Sequence, residues 1–216
     1  MSYFRELPNV QYQSFLSDKQ SSQDYLLVKN IFRRAKIRDD LQNVVTLFNK
    51  YTIVDGARPE LVAEEIYGSV EYDWVVIISA GITNIRNQWP LSNQELYKYA
   101  ESKYELDLDS VHHYETTEVK DSNGRLILPK GKIVDSNFTI PNPNSSLSNL
   151  NPVVSVSNLE YEFRENSKKS SIYLLRPGYL NQFINDMRKI MTYGLSSEYV
   201  SDSLIKTENT RITIPN

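Results

Sequence analysis

The stretch from Tyr51 to Asn84 constrains the fold more than any other part of the chain. Tyr51-Thr52-Ile53-Val54 is a short run of β-forming residues, and Asp55-Gly56 breaks it. Pro59 then takes a first-turn position of a helix, with Glu60 near the positive end of the helix dipole. Val62, Ala63, Ile66 and Tyr67 make an apolar stripe at helical spacing, and Gly68 ends it. The chain continues Glu71-Tyr72-Asp73-Trp74-Val75-Val76-Ile77-Ile78. Propensity alone reads Trp74–Ile78 as a buried strand. A strand, a helix and a dense apolar run packed so closely in sequence predict a small mixed α and β core.

The flanks are read by the same rules. Pro90-Leu91-Ser92 leads into another helix, with Ser92 and Glu95 as a capping box and Leu96, Tyr99, Ala100 and Tyr104 as its apolar stripe. Residues 23–38 are read as a helix, because Leu27, Val28, Ile31, Phe32 and Ala35 fall on one face. Arg33, Arg34, Lys36 and Arg38 then sit at its negative end, as dipole partners or as a surface for an acidic partner. Residues 1–22 show no sustained period and read as an extended arm.

Residues 106–176 read as β-rich. Asp121-Ser122-Asn123-Gly124 between VHHYETTEV and RLILP is a hairpin signal. The Pro/Asn/Ser run 141–152 reads as an exposed loop. Strand-like runs resume at Val153–Val156, Leu159–Arg164 and Ser171–Leu175. Residues 177–193 give the clearest amphipathic pattern, with Leu180, Phe183, Ile184, Met187, Ile190 and Met191 on one face. Such a helix docks on its own core or into a partner's groove. The tail 195–216 is polar and ends in the strand-like Arg211-Ile212-Thr213-Ile214-Pro215, a candidate to pair with a neighbouring sheet edge.

Composition narrows the function classes. The 216 residues carry 24 Lys+Arg against 27 Asp+Glu, a net charge of -3. That balance does not supply the concentrated positive field of a nucleic-acid binder. Without cysteine there is no disulfide framework, zinc thiolate site or thiol nucleophile. The longest apolar stretch, Trp74–Ile78, is far too short to span a membrane, and MSYFRELPNVQYQ contains no signal-like apolar run. The 15 tyrosines suit either the fold or interface cores.

Catalytic constellations are not found. His112 and His113, the two histidines, are expected on opposite faces of a strand, where they would not converge on one metal. Glu64 and Glu65 diverge on a helix and read as solvated surface. No Walker A, G-x-S-x-G, H-E-x-x-H or G-x-G-x-x-G pattern occurs. The expectation is a non-enzymatic chain with no catalytic residue, cofactor or metal.

The order YTIVDGARPELVAEEIYGSVEYDWVVIISAGITN resembles a LysM module. Gly56, Leu61, Ile66, Tyr67, Gly68, Trp74, Ile78 and Asn84 occupy its matching places. That resemblance implies a compact β-α-α unit, so Trp74–Ile78 would be helical, Trp74 filling the core and Tyr72 more exposed. It also implies glycan contact through two loops, matched here by Asp55–Pro59 and Gly81–Ile85. The usual "GDTL" turn is replaced by Gly56-Ala57-Arg58-Pro59, and the usual closing strand is missing locally.

A second resemblance is broader. RPELVAEEIYG, YDWVVII, VKNIFRRA and Phe183-Ile184-Asn185-Asp186-Met187-Arg188-Lys189-Ile190-Met191 are similar, in the same order, to motifs of the baseplate wedge proteins of T4-like contractile-tailed phages (gene product 53 type). The likeness covers roughly residues 25–105 and 177–193, and leaves 108–175 unmatched.

The resemblance implies a structural clamp of a contractile phage tail baseplate wedge, joining wedge subunits and neighbouring wedges around the hub. Its partners would be wedge scaffold and sheath-initiator proteins, with several copies in a symmetric assembly, built in the host cytoplasm and carried in the virion. Gly56, Ala57, Arg58, Pro59, Tyr72, Asn84, Ile85, Phe183, Met187 and Met191 are the candidate partner-binding residues. The alternative is a LysM-type peptidoglycan-binding module of a tail or cell-wall-associated protein.

The fold class expected is α+β: a small LysM-like βαα module with flanking helices, a β-rich insertion and extended terminal arms. The segments are an arm at 1–22, helix and connector at 23–49, and the module with its following helix at 50–105. After them come the β-rich segment 106–176, a docking helix at 177–194 and an arm at 195–216.

Overall fold

Pro59 and Gly68 do what their chemistry requires. In the computed structural model, Pro59 opens a nine-residue helix. Gly68 closes it in the left-handed region, φ 74°, with its N–H on the Glu64 carbonyl. An L side chain there would strain the backbone. The structure describes residues 3–13, 25–38, 41, 44, 46–145 and 148–206.

In chain order the first elements are Tyr3–Glu6 (α1), Asn9–Gln13 (β1), Tyr25–Lys29 (β2), Phe48–Thr52 (β3) and Pro59–Tyr67 (α2). A 3-10 turn at Val70–Tyr72 leads into Asp73–Ser79 (α3), Ile85–Gln88 (α4) and Asn93–Tyr104 (α5). Seven strands follow: Val111–Thr116 (β4), Val119–Lys120 (β5), Leu126–Leu128 (β6), Ile133–Val134 (β7), Ile140–Pro141 (β8), Asn149–Leu150 (β9) and Val153–Ser157 (β10). The chain closes with Asn158–Ser170 (α6), Ser171–Leu175 (β11), Leu180–Met191 (α7), Tyr199–Ser201 (β12) and Leu204–Lys206 (β13).

These elements form two compact units. The first holds Met1–Ile53, Ala57–Gln88 and Ile172–Asn216; the second holds Val54–Gly56 and Trp89–Ser171.

In the first unit, β3 pairs with β11, a strand from far along the chain. The Arg176 N–H extends this pairing to the Leu47 carbonyl. The Tyr67 hydroxyl, at the end of α2, donates to the Leu175 carbonyl at 2.8 Å. Trp74 and Val75 of α3 join Leu7, Phe48, Leu175, Ile184, Met187 and Met191 in one buried cluster. Trp74 is therefore helical and internal, as the resemblance implied. A four-stranded sheet ordered β12-β13-β1-β2 completes the unit, with β1 parallel to β13 and antiparallel to β2.

In the second unit, β10, β4 and β7 form an antiparallel sheet, against which α6 and then α5 pack. The capping box expected at Ser92 and Glu95 is present at the start of α5. The Asn-Gly signal marks the turn between the antiparallel β5 and β6. Thr116, fully buried, donates from Oγ1 to the Pro129 carbonyl and accepts the Lys132 N–H.

Three expectations change. Of the helix expected at 23–38, the described residues 25–38 are not helical: β2 occupies 25–29, and an Asn30 Oδ1 bond to the Phe32 N–H turns the chain directly after it. Arg33 still serves a helix C-terminus, but that of α7. Its guanidinium donates to the Ile190 and Thr192 carbonyls, at 2.8 Å each, and lies over the Tyr193 ring. Residues 3–13 of the expected arm are built into the unit, with Leu7 in the core and β1 inside the sheet.

The third change is in the β-rich segment. Leu159–Arg164 is helical, as part of α6. Part of the expected loop also pairs, β8 with β9. The strand-like residues 211–215 lie outside the described residues.

Candidate interaction surfaces

The candidate residues divide by burial. Met187 and Met191 are 2% and 3% exposed and sit in the core of the first unit, with Phe183 packed against it, its ring 5.8 Å from that of Trp74. Tyr72 is half-buried on the same cluster, edge-on to Tyr67. These four come together around Trp74. Phe183, Met187 and Met191 hold the fold, which answers the question of where the amphipathic helix docks. An ion pair reinforces it: the exposed Arg188 donates from Nε to the buried Glu6 carboxylate at 2.8 Å.

The loop residues are placed differently. Arg58 is the extended residue before α2, and its carbonyl accepts the Leu61 and Val62 N–H groups. Asp55 Oδ1 accepts the Asn93 N–H at 2.9 Å, which ties the Asp55-Gly56 turn to the start of α5. Gly56 has φ +73°, a conformation that favours glycine. In the second loop, Asn84 Oδ1 accepts the Arg86 N–H, and Gln88 Oε1 accepts the Thr83 and Asn84 N–H groups. The loop is thus self-satisfied in its polar groups, and it presents Ile85, 42% exposed, to the outside.

The histidines are placed against expectation. Val156 pairs with His113 while the next residue, Ser157, pairs with Val111, so His112 is an extra residue in β4. Such a bulge breaks the alternation of faces. The two Nδ1 atoms lie 2.8 Å apart, one donating to the other. His112 stacks on Tyr161 of α6 with ring centres 3.9 Å apart, and His113 Nε2 meets Glu115 at 3.0 Å. The hydrogen bonds from His113 and then Arg164 hold the Glu115 carboxyl below the usual carboxylate range. The cluster fastens α6 to β4. Among the described residues, no group of three or more His, Asp or Glu is placed to hold a metal ion.

Sequence reasoning missed the β2 edge. Among the described residues no strand pairs its outer side. Its burial pattern is exposed along most of its length, with Leu27 at 62% and, just beyond the strand, Phe32 at 89%. Leu26 and Val28 are exposed on the other face. The available signal was the consecutive run Tyr25-Leu26-Leu27-Val28, which offers apolar side chains to both faces of a strand. No helix among the described residues is long and apolar enough to cross a membrane.

Among the described residues the chain thus shows two small α+β units, an exposed apolar strand at a sheet edge and an exposed Ile85, with no catalytic or metal-holding constellation described. Comparison with known protein families sharpens this: residues 7–128 match the family described as base plate wedge protein 53. The match covers more than half of the 216 residues, and the chain belongs to that family. It is thereby a structural component of a phage tail baseplate, associated with other baseplate components. No curated protein matches the chain. The family match includes residues 106–128, which the sequence motifs left unassigned, and stops before the 177–193 motif.

Proposed function

We propose that the chain is a clamp of the baseplate wedge. It binds wedge scaffold and sheath-initiator subunits and joins neighbouring wedges around the hub, in several copies in a symmetric assembly. The observation that carries this reading is the family match, which runs from Leu7 through β3, α2 and α3 into the second unit. We also propose that β3, α2, α3 and β11 form a LysM-like unit used for protein contact. The pairing of β3 with β11 supports this, because it supplies from a distance the closing strand that is missing locally. Arg58, Tyr72, Asn84 and Ile85 are the proposed contact residues. Phe183, Met187 and Met191 act by holding the helices beneath them.

The test mixes the recombinant full chain with wedge subunits of its own phage and follows size-exclusion elution. The expected outcome is a stable co-eluting complex, weakened by Ile85→Asp while the free chain keeps its fold. Purified peptidoglycan is the second arm. Sedimentation with it and failure to bind wedge subunits would replace the clamp by the cell-wall-binding alternative.

A further inference from the structure

Asn123-Gly124 is the one Asn-Gly pair in the chain, and it lies in the turn between β5 and β6. The pair has an intrinsic chemistry. The backbone nitrogen after an asparagine can attack the side-chain Cγ, and glycine hinders that approach least because it has no side chain. Asn123 and Gly124 are both exposed. Nothing among the described residues stands within 4 Å of the place a Cβ would take on Gly124.

Other asparagines are placed differently. Asn166 bonds Leu91 through both its amide nitrogen and its amide oxygen, and Asn158 Nδ2 donates to the Asp107 carbonyl. Ser167 and Leu159 follow them, so a side chain crowds the attacking nitrogen. Asp55-Gly56 has the same small successor, but a carboxylate is a poorer electrophile than an amide. Its Oδ1 also accepts the Asn93 N–H at 2.9 Å.

The turn carries its own restraint. Asp121 Oδ1 accepts the Asn123 N–H at 2.9 Å and the Arg125 N–H at 2.8 Å. The Asp121 carbonyl accepts the Gly124 N–H at 3.0 Å. Attack requires Gly124 to give up that proton and swing its nitrogen onto Asn123 Cγ. The bond to the Asp121 carbonyl occupies the N–H, and the nearby carboxylate opposes the negative charge that proton loss leaves on nitrogen. Reaction therefore waits for local opening of the turn.

We infer that Asn123 is a spontaneous deamidation site whose rate is set by the side chain of Asp121. The Gly124 nitrogen forms a bond to Asn123 Cγ and the Cγ–Nδ2 bond breaks. Nδ2 leaves as ammonia, taking the proton that Gly124 gives up. Water then opens the cyclic imide at either carbonyl, leaving aspartate or isoaspartate at this position. Both products add a negative charge beside Asp121. The isoaspartyl product also lengthens the main chain by one carbon, which moves the Gly124 and Arg125 N–H groups off Asp121 and loosens the β5–β6 hairpin.

The experiment incubates the full chain in mildly alkaline buffer and follows it by peptide mass spectrometry. Fragment ions place the mass gain of an amide turning into a carboxylate, and enzymatic methylation counts isoaspartate. The folded chain is compared with the chain unfolded in urea, with Asp121→Ala and with Asp121→Asn, and circular dichroism checks each fold. In the folded chain Asn123 should react before every other asparagine and before Asp55 isomerises. Unfolding, or Asp121→Ala, should speed the reaction at Asn123 by at least roughly tenfold. Asp121→Asn keeps an acceptor oxygen and removes the charge, so its rate should fall between.

Another asparagine reacting first in the folded chain overturns the site. A folded Asp121→Ala that reacts no faster than the full chain overturns the role of Asp121. If Asp121→Ala does not fold, the decision falls to Asp121→Asn, where a rate equal to that of the full chain overturns it.

Discussion

Met187 and Tyr67 carry the clearest consequences at the scale of single residues. Met187 is buried among Trp74, Leu175 and Ile184, so Met187→Ala should lower the unfolding free energy by about 2–5 kcal/mol in denaturant titrations. Ile85→Asp, on an exposed loop, should stay within about 0.5 kcal/mol. Tyr67 gives a pH signature. Burial pushes its phenol from 10.0 up to about 12, against a smaller opposing effect of the Ser79 hydroxyl. Between those values the unfolded chain loses the proton first, so ionisation favours unfolding. The stabilisation is whole below pH 10 and is lost as pH rises through about 12. Tyr67→Phe should flatten that alkaline decline, and should cost about 1 kcal/mol near neutrality for the bond to Leu175. Both are read from unfolding curves at stepped pH.

Among the elements, α6 shows why part of the fold was not legible. Leu159, Tyr161 and Phe163 alternate with Glu160, Glu162 and Arg164, which is the pattern of a half-buried strand. The helix instead buries polar groups one turn apart. Asn158 Nδ2 donates to the Asp107 carbonyl, Glu162 accepts from Lys103 and Tyr104, and Asn166 bonds both the N–H and the carbonyl of Leu91. A hydrophobicity pattern does not register such a face. Ser157, which accepts the Glu160 N–H, was the local sign of a helix start.

Ser157→Ala should therefore destabilise the second unit by about 1 kcal/mol, measured by hydrogen exchange of α6. Burial acts to raise the Glu162 carboxyl, but its bonds to Lys103 and Tyr104 outweigh this and hold it below 4.5. That contribution is present above the ordinary carboxylate range and lost as pH falls below it. Glu162→Gln should reduce the acid sensitivity of this unit in acid titrations followed by circular dichroism. β2 misled in the opposite way: Leu27, Val28, Ile31 and Phe32 share a helical face, yet pairing with β1 overrides the pattern.

Over the whole molecule, the motifs from Pro59 to Ile78 were legible because each start and stop is local. The partner of β3 was not, because β11 lies beyond the entire second unit. Of the candidate site residues, Met187 and Met191 are core, because a stripe of apolar side chains on a helix reads the same whether it docks on its own fold or on a partner. The family match ends at Leu128, but the first unit takes Leu175, Ile184, Met187 and Met191 from residues after it. A fragment ending at Leu128 should therefore show no cooperative unfolding transition, whereas the full chain should show one by differential scanning calorimetry.

The central claim is that this chain holds wedge subunits together. Electron microscopy of the intact baseplate tests it most directly. The account predicts density for both units in each wedge, in contact with more than one wedge subunit. Density touching a single subunit, or a chain missing from the baseplate, would contradict it.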